Sequence, residues 1–140
     1  MKYVLDTPLL AELLHARPND WITRWIDAFS EDEIYLSVVT IKEINNSIDK
    51  LEDVDQKKQL HLWLDNELLK RFHGKIIPID KDVLAMRDKL VEETKTARKP
   101  LSPMDQLIAA TVRARGLVLI TYNREVFSEV GIEVSDPWQG

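Results

Sequence analysis

Apolar residues alternate along the chain between short runs and longer stripes at helical spacing. Tyr3-Val4-Leu5 is a short run that stops at Asp6-Thr7-Pro8. It predicts a buried strand passing at once into a helix, with Thr7 as N-cap and Pro8 at the first helical position. Trp21, Ile22, Trp25, Ile26 and Phe29 repeat with helical period and predict a helix over about 19–29. Ile34 to Val39 reads as the second strand, after which Thr40 opens a helix reaching about residue 51. Leu60, Trp63, Leu64, Leu68 and Phe72 form another helical stripe, closed by Gly74. Lys75 to Ile79 is strand-like, and its Pro78 places it at a sheet edge. A charged amphipathic helix follows, turning Val83, Met86 and Leu90 inward together with Leu84 and Val91. Ser102-Pro103 starts a helix over about 103–115, ended by Gly116, and 117–121 is an almost wholly apolar strand. A short helix near 125–129 and a last strand near 132–134 complete the pattern.

Short apolar strands alternating with helices imply βαβ units, an α/β class, and a mostly parallel sheet covered on both faces. Neither a linker nor a repeat divides the sequence, so residues 1–140 are expected to form one domain. In such sheets, ligands bind beyond the carboxyl ends of the strands. Asp6 ends the first strand, Glu43 lies just after the second, and Asn123 just after the strand at 117–121. Asp105 opens the helix that feeds this last strand.

Composition narrows the function classes. The chain is 44% hydrophobic and 31% charged, values of a globular domain. It has no run of about 18 apolar residues, which excludes a hydrophobic membrane-spanning helix, and an acid interrupts the N-terminus before a signal-peptide core. Cytoplasmic residence is therefore the expectation. With no cysteine, disulfides and thiolate metal sites are excluded. The net charge of −5 speaks against a free-standing nucleic-acid binder, which carries a basic field. A metal nuclease is a partial exception, because its acidic site holds the cations that meet phosphate, so the charge balance weighs against that class without removing it.

Each acid has a local explanation. Thr40-Ile41-Lys42-Glu43 has the form of a capping box, Ser102-Pro103-Met104-Asp105 has a related form, and Asp6 suits a turn. Their joint placement at one rim is not explained by capping. Clustered carboxylates repel one another unless a cation is present. Oxygen-only donors suit Mg²⁺ or Mn²⁺ rather than zinc, and such a metal makes a nucleophilic side chain unnecessary.

Five segments in order then resemble one family: Tyr-Val-Leu-Asp-Thr at 3–7, Leu-Ser-Val-Val-Thr-Ile-Lys-Glu-Ile at 36–44, Pro-Met-Asp-Gln-Leu-Ile-Ala-Ala-Thr at 103–111, Gly-Leu-Val-Leu-Ile-Thr-Tyr-Asn at 116–123, and Asp-Pro-Trp at 136–138. The chain resembles PIN-domain ribonucleases, and within them the VapC/FitB-like toxins of type II toxin–antitoxin systems. The resemblance implies a three-layer α/β/α sandwich around a parallel sheet. It implies Asp6, Glu43 and Asp105 as metal ligands, and Asn123 as a fourth catalytic position. The implied activity is Mg²⁺-dependent cleavage of RNA, tRNA among the candidates, by a metal-activated water, with Mn²⁺ as a substitute. A VapB-like antitoxin and homodimerisation are the implied partnerships.

The chain departs from the family pattern at Pro8, where Asn is usual, at Lys42, where Gly is common, and at Val126, where an acid is common. These departures support a second reading, a non-catalytic PIN-like module that binds nucleic acid or protein. A phosphatase using Asp6 as nucleophile would require a second acid where Pro8 stands. Thr7, Lys42, Arg98, Lys99 and Thr121 are candidate substrate-binding or supporting residues, with Arg17, Arg113, Arg115 and Arg124 as further cations. His15, His61 and His73 have no metal-ligand spacing.

Overall fold

A computed structural model describes residues 2–12, 33–97 and 100–136. The helix expected over about 19–29, and with it Trp21, Trp25 and Phe29, lies outside the described residues, as do Arg98, Lys99 and Trp138. Five parallel strands form one sheet in the order β3-β2-β1-β4-β5. They are β1 (Tyr3–Leu5), β2 (Ile34–Ser37), β3 (Ile76–Ile77), β4 (Val118–Ile120) and β5 (Glu133–Ser135). The chain therefore begins at the centre of the sheet, builds outward through β2 to β3, and returns to β4 on the other side of β1. As Pro78 implied, β3 is an edge.

Alternation along the strands sorts the core into two layers. Leu5, Leu36 and Ile120 pack with Leu9, Leu10, Ile44, Ile48, Leu64 and Leu68. Val4 and Leu119, their immediate neighbours in sequence, pack on the other face with Leu90, Ile108, Val112 and Phe127. Successive side chains of a strand point to opposite faces, so a strand buried on both must be apolar throughout. Helices α1 (Thr7–Glu12), α2 (Val38–Asp49) and α3 (starting at Val54–Trp63) cover the first face. Helices α4 (Lys81–Glu93) and α5 (Pro103–Arg115) cover the second and pack on each other. The three-layer α/β/α expectation holds.

The helix starts differ from expectation in ways that bear on function. Ser37, rather than Thr40, caps α2: its hydroxyl accepts from the Val39 backbone N–H at 3.1 Å. Val38 and Val39 consequently belong to the helix and not to β2. The fully buried Ser37 satisfies an amide that an apolar residue would leave orphaned, which outweighs the strand propensity of two valines. Thr40 is thereby moved into the first turn, and the proposed capping box with Glu43 does not form. Similarly, Asp6 rather than Thr7 stands before α1: its carbonyl accepts from Leu9 and Leu10 N–H, and its Oδ1 accepts from Thr7 N–H at 3.0 Å.

Helix α3 continues through a π-helical stretch, Leu64–Leu68, into Leu69–Arg71. The Leu69 N–H reaches back to the Leu64 carbonyl, and the wider turn keeps Leu64 and Leu68 both buried. In α4, Val83 and Leu90 are buried, but Leu84 and Val91 are exposed, against expectation. One side of that helix packs on α5, and the stripe is narrower than the apolar residues available. Residues 124–131 form turns rather than a short helix, with Phe127 and Val130 buried from within them.

Candidate active site

Asp6 leaves the central strand at its carboxyl end, and its backbone N–H still donates to the Ile120 carbonyl at 2.9 Å. That bond aligns the end of β1 with the end of β4 and leaves Asp6 only 2% exposed. Both carboxylate oxygens are held: Oδ1 by the Thr7 N–H, and Oδ2 by the Thr121 hydroxyl at 2.7 Å. The Thr121 oxygen in turn accepts from the Asn123 N–H at 3.0 Å. Asn123 thus enters the network through its backbone, with its side chain exposed.

Glu43 arrives from the second turn of α2, and its Oε1 accepts from the Thr7 hydroxyl at 2.7 Å. The same hydroxyl lies 3.1 Å from the Thr40 hydroxyl. A threonine has one hydroxyl proton, and an ionised carboxylate only accepts. Thr7 therefore donates to Glu43, and Thr40, fully buried one turn before Glu43, donates to Thr7. The dipeptide Asp6-Thr7 is the joint of the site. One residue presents a carboxylate, and the next fixes the carboxylate of a different helix. The role of Thr40 was missed by sequence reasoning, although its i,i+3 spacing to Glu43 placed both on one helix face.

Asp105 occupies the first turn of α5, where its backbone N–H donates to the capping Ser102 hydroxyl at 3.2 Å. Its charge reaches Asp6. Burial pushes the Asp6 carboxyl up to about 6, the Thr121 and Thr7 hydrogen bonds oppose the rise, and the neighbouring Asp105 and Glu43 charges add to it. Burial also raises the Asp105 carboxyl, against the hydrogen bond with Ser102. Among the described residues, no lysine or arginine is ion-paired with Asp6, Glu43 or Asp105. Nor are any three His, Asp or Glu side chains among them gathered tightly enough to hold a metal directly. Magnesium characteristically takes one or two carboxylates and retains several waters, so this oxygen-only, uncompensated acidic rim suits it without a closed cage.

Lys42 is exposed on α2 and takes no part in these hydrogen bonds. Arg113 and Arg115 are engaged elsewhere, with Glu93 and Asp80. Arg17, Arg98 and Lys99 lie outside the described residues. His61 bonds Asp49 at 2.9 Å, and His73 is exposed.

Comparison with known proteins agrees with the architecture. The PIN domain family matches residues 3–133. Toxin FitB of Neisseria gonorrhoeae is 30% identical over 96% of this chain and 97% of its own. The tRNA(fMet)-specific endonuclease VapC of Shigella flexneri is 26% identical over 99% of this chain and 98% of its own. Among solved structures, FitAcB from Neisseria gonorrhoeae superposes with a TM-score of 0.92 at 30% identity, covering 99% of both chains. The DNA-bound VapBC of Salmonella typhimurium shares the fold at a TM-score of 0.81 and 21% identity, covering 98% of both. With the family match, the strand order and these likenesses in agreement, the chain belongs to the PIN domain family, in its group of VapC- and FitB-like toxins.

Proposed function

We propose that the protein is a Mg²⁺-dependent endoribonuclease, the toxin of a VapBC-type pair, and that a cognate VapB-like antitoxin restrains it. The observation that carries this reading is the buried Asp6, held on both oxygens and lying against the charges of Asp105 and Glu43 with no cation paired to any of the three among the described residues. Burying such a group costs stability, and a divalent cation would offset that cost. Asp6 and Asp105 would hold the ion together with retained water, with the Glu43 charge beside them. Once bound there, it would acidify a water and stabilise charge on a phosphate.

The chain's own residues do the positioning. Thr121 and the Thr7 N–H fix the Asp6 carboxylate in one orientation, and the Thr40–Thr7 hydroxyl pair does the same for Glu43. Water attacking the phosphorus and displacing the 3′ oxygen would leave 5′-phosphate and 3′-hydroxyl ends. A relative's name records tRNA cleavage and that of another records ribonuclease activity, which supports RNA, with tRNA first to test. Relatives solved as FitAB and VapBC complexes support the antitoxin partner. A homodimer and cytoplasmic action complete the proposal; no helix among the described residues is long and apolar enough to cross a membrane.

Purified protein incubated with tRNA and Mg²⁺, with and without chelator, tests the reading against the Asp6→Asn variant. Cleavage should require both the metal and Asp6. Binding of RNA without chelator-sensitive cleavage would replace the nuclease by a non-catalytic PIN-like module.

A further inference from the structure

Helix α2 buries Val39, Thr40, Ile44 and Ile48, and it leaves Val38, Lys42, Asn46 and the following Lys50 exposed. These four exposed residues recur at i,i+4 spacing, so they stack on successive turns of one face. The stripe begins where β2 ends, at the rim that carries Asp6, and runs the length of the helix. It shares that helix with Thr40 and Glu43, which belong to the acidic site.

Helix stability does not account for the two lysines. The residues three and four positions from Lys42 are Val38, Val39, Asn45 and Asn46, and those before Lys50 are Asn46 and Ser47. None is acidic, so neither lysine has an ion-pair partner one turn away within the helix. Neither ammonium makes an ion pair or hydrogen bond elsewhere among the described residues. Asp49, on the neighbouring row, is taken up by His61. Helix α4 is different: its charges alternate in sign, with Arg87 against Asp88 and the following Lys95 against Glu92. The carboxyl-terminal dipole of α2 favours Lys50 but gives no reason for Lys42.

In a chain of net charge −5, two uncompensated ammoniums in line with the acidic rim complement an anion. At 1.5 Å of rise per residue they stand about 12 Å apart along the helix, too far for one phosphate to engage both. An extended polyanion can. Val38, 40% exposed, adds an apolar contact where the stripe meets the rim.

We propose that this face of α2 is the track of the substrate strand. Single-stranded RNA leaves the acids over Val38 and lays successive phosphates against Lys42 and Lys50, with Asn46 hydrogen-bonding between them. The track rests on the ribonuclease reading and adds to it the surface that holds the RNA.

Fluorescence anisotropy of a labelled single-stranded RNA would be followed across a range of salt, with the full chain in an Asp6→Asn background. Lys42→Ala should weaken binding several-fold and lower the slope of log affinity against log salt by about 0.7, the share of one phosphate on a single strand. Lys50→Ala should act alike, and Lys42→Arg should restore both quantities. Lys89→Ala, which removes the same charge from α4, should change neither, and melting curves should show every variant folded. With Asp6 intact and Mg²⁺ present, Lys42→Ala should raise KM and leave kcat in place. Cleavage by the wild type, with Lys42→Ala and Lys50→Ala matching Lys89→Ala in affinity and slope, would overturn the track and leave the nuclease standing. Weakened binding in those two variants, without cleavage by the wild type, would keep the track and overturn the nuclease. Failure of the RNA to bind the parent protein would overturn the track.

Discussion

Thr121 and Asp6 are joined by a 2.7 Å hydrogen bond between residues 115 positions apart, one just beyond β4 and the other just beyond β1. The bond lowers the Asp6 carboxyl against a burial effect that raises it. It also orients the oxygen that would face a cation. Removing the hydroxyl should therefore disturb both ionisation and geometry at the site.

Thr121→Val keeps shape and removes that donor. Groups that orient metal-ligating carboxylates characteristically cost about 10–100-fold when lost. Cleavage by Thr121→Val should fall by that order, measured as kcat/KM at fixed Mg²⁺, and Thr121→Ser should retain most activity. Equal activity in Val and wild type would remove Thr121 from the mechanism.

Asp6→Asn should abolish cleavage and yet stabilise the metal-free protein at neutral pH. The Asp6 carboxyl is raised from 3.8 to about 6, so between those values the folded state holds more protons than the unfolded state. Stability from this group is complete below pH 3.8 and is lost as pH rises through about 6. At about 1.36 kcal/mol per pKa unit, the loss is about 3 kcal/mol. Urea melts of chelated wild type from pH 4 to 8 should show that decline, and Asp6→Asn should lack it.

The same ionisation predicts how pH and metal interact. Protons and cation compete for Asp6, so at limiting Mg²⁺ cleavage should fall as pH drops below about 6. Raising Mg²⁺ should move this limb to lower pH. A limb that ignores Mg²⁺ concentration would assign it to another group.

Thr40 is expected to act on Glu43 only through Thr7. Thr40→Val should reduce cleavage by about 5–30-fold, the worth of about one to two kcal/mol in a hydrogen bond near a charge. Thr40→Ser should restore it. A Thr40→Val that loses stability but keeps kcat/KM would confine Thr40 to the core.

Gly116 offers a control remote from the chemistry. It terminates α5 with φ 64°, and a Cβ there would meet nothing within 4 Å. Gly116→Ala should therefore cost only the backbone penalty, about 1 kcal/mol in urea denaturation, with cleavage intact.

What was legible without coordinates rests on short-range physics. The two-sided burial of β1 and β4 shows as unbroken apolar runs, the edge position of β3 shows as Pro78, and α5 is bracketed by Ser102-Pro103 and Gly116. Those elements placed Asp6, Glu43 and Asp105 toward one rim because a parallel sheet leaves few alternatives. The caps of α1 and α2 were not legible, since Asp6 or Thr7, and Ser37 or Thr40, are equally good capping residues by type. Only packing of the helices on the sheet selected Asp6 and Ser37, and that selection left the Thr7 hydroxyl for Glu43 and the Thr40 hydroxyl for Thr7. The depth of Asp6, its bond to Thr121 and its raised pKa were likewise decided by tertiary structure. They depend on desolvation and on a partner 115 residues away, neither of which a local pattern encodes.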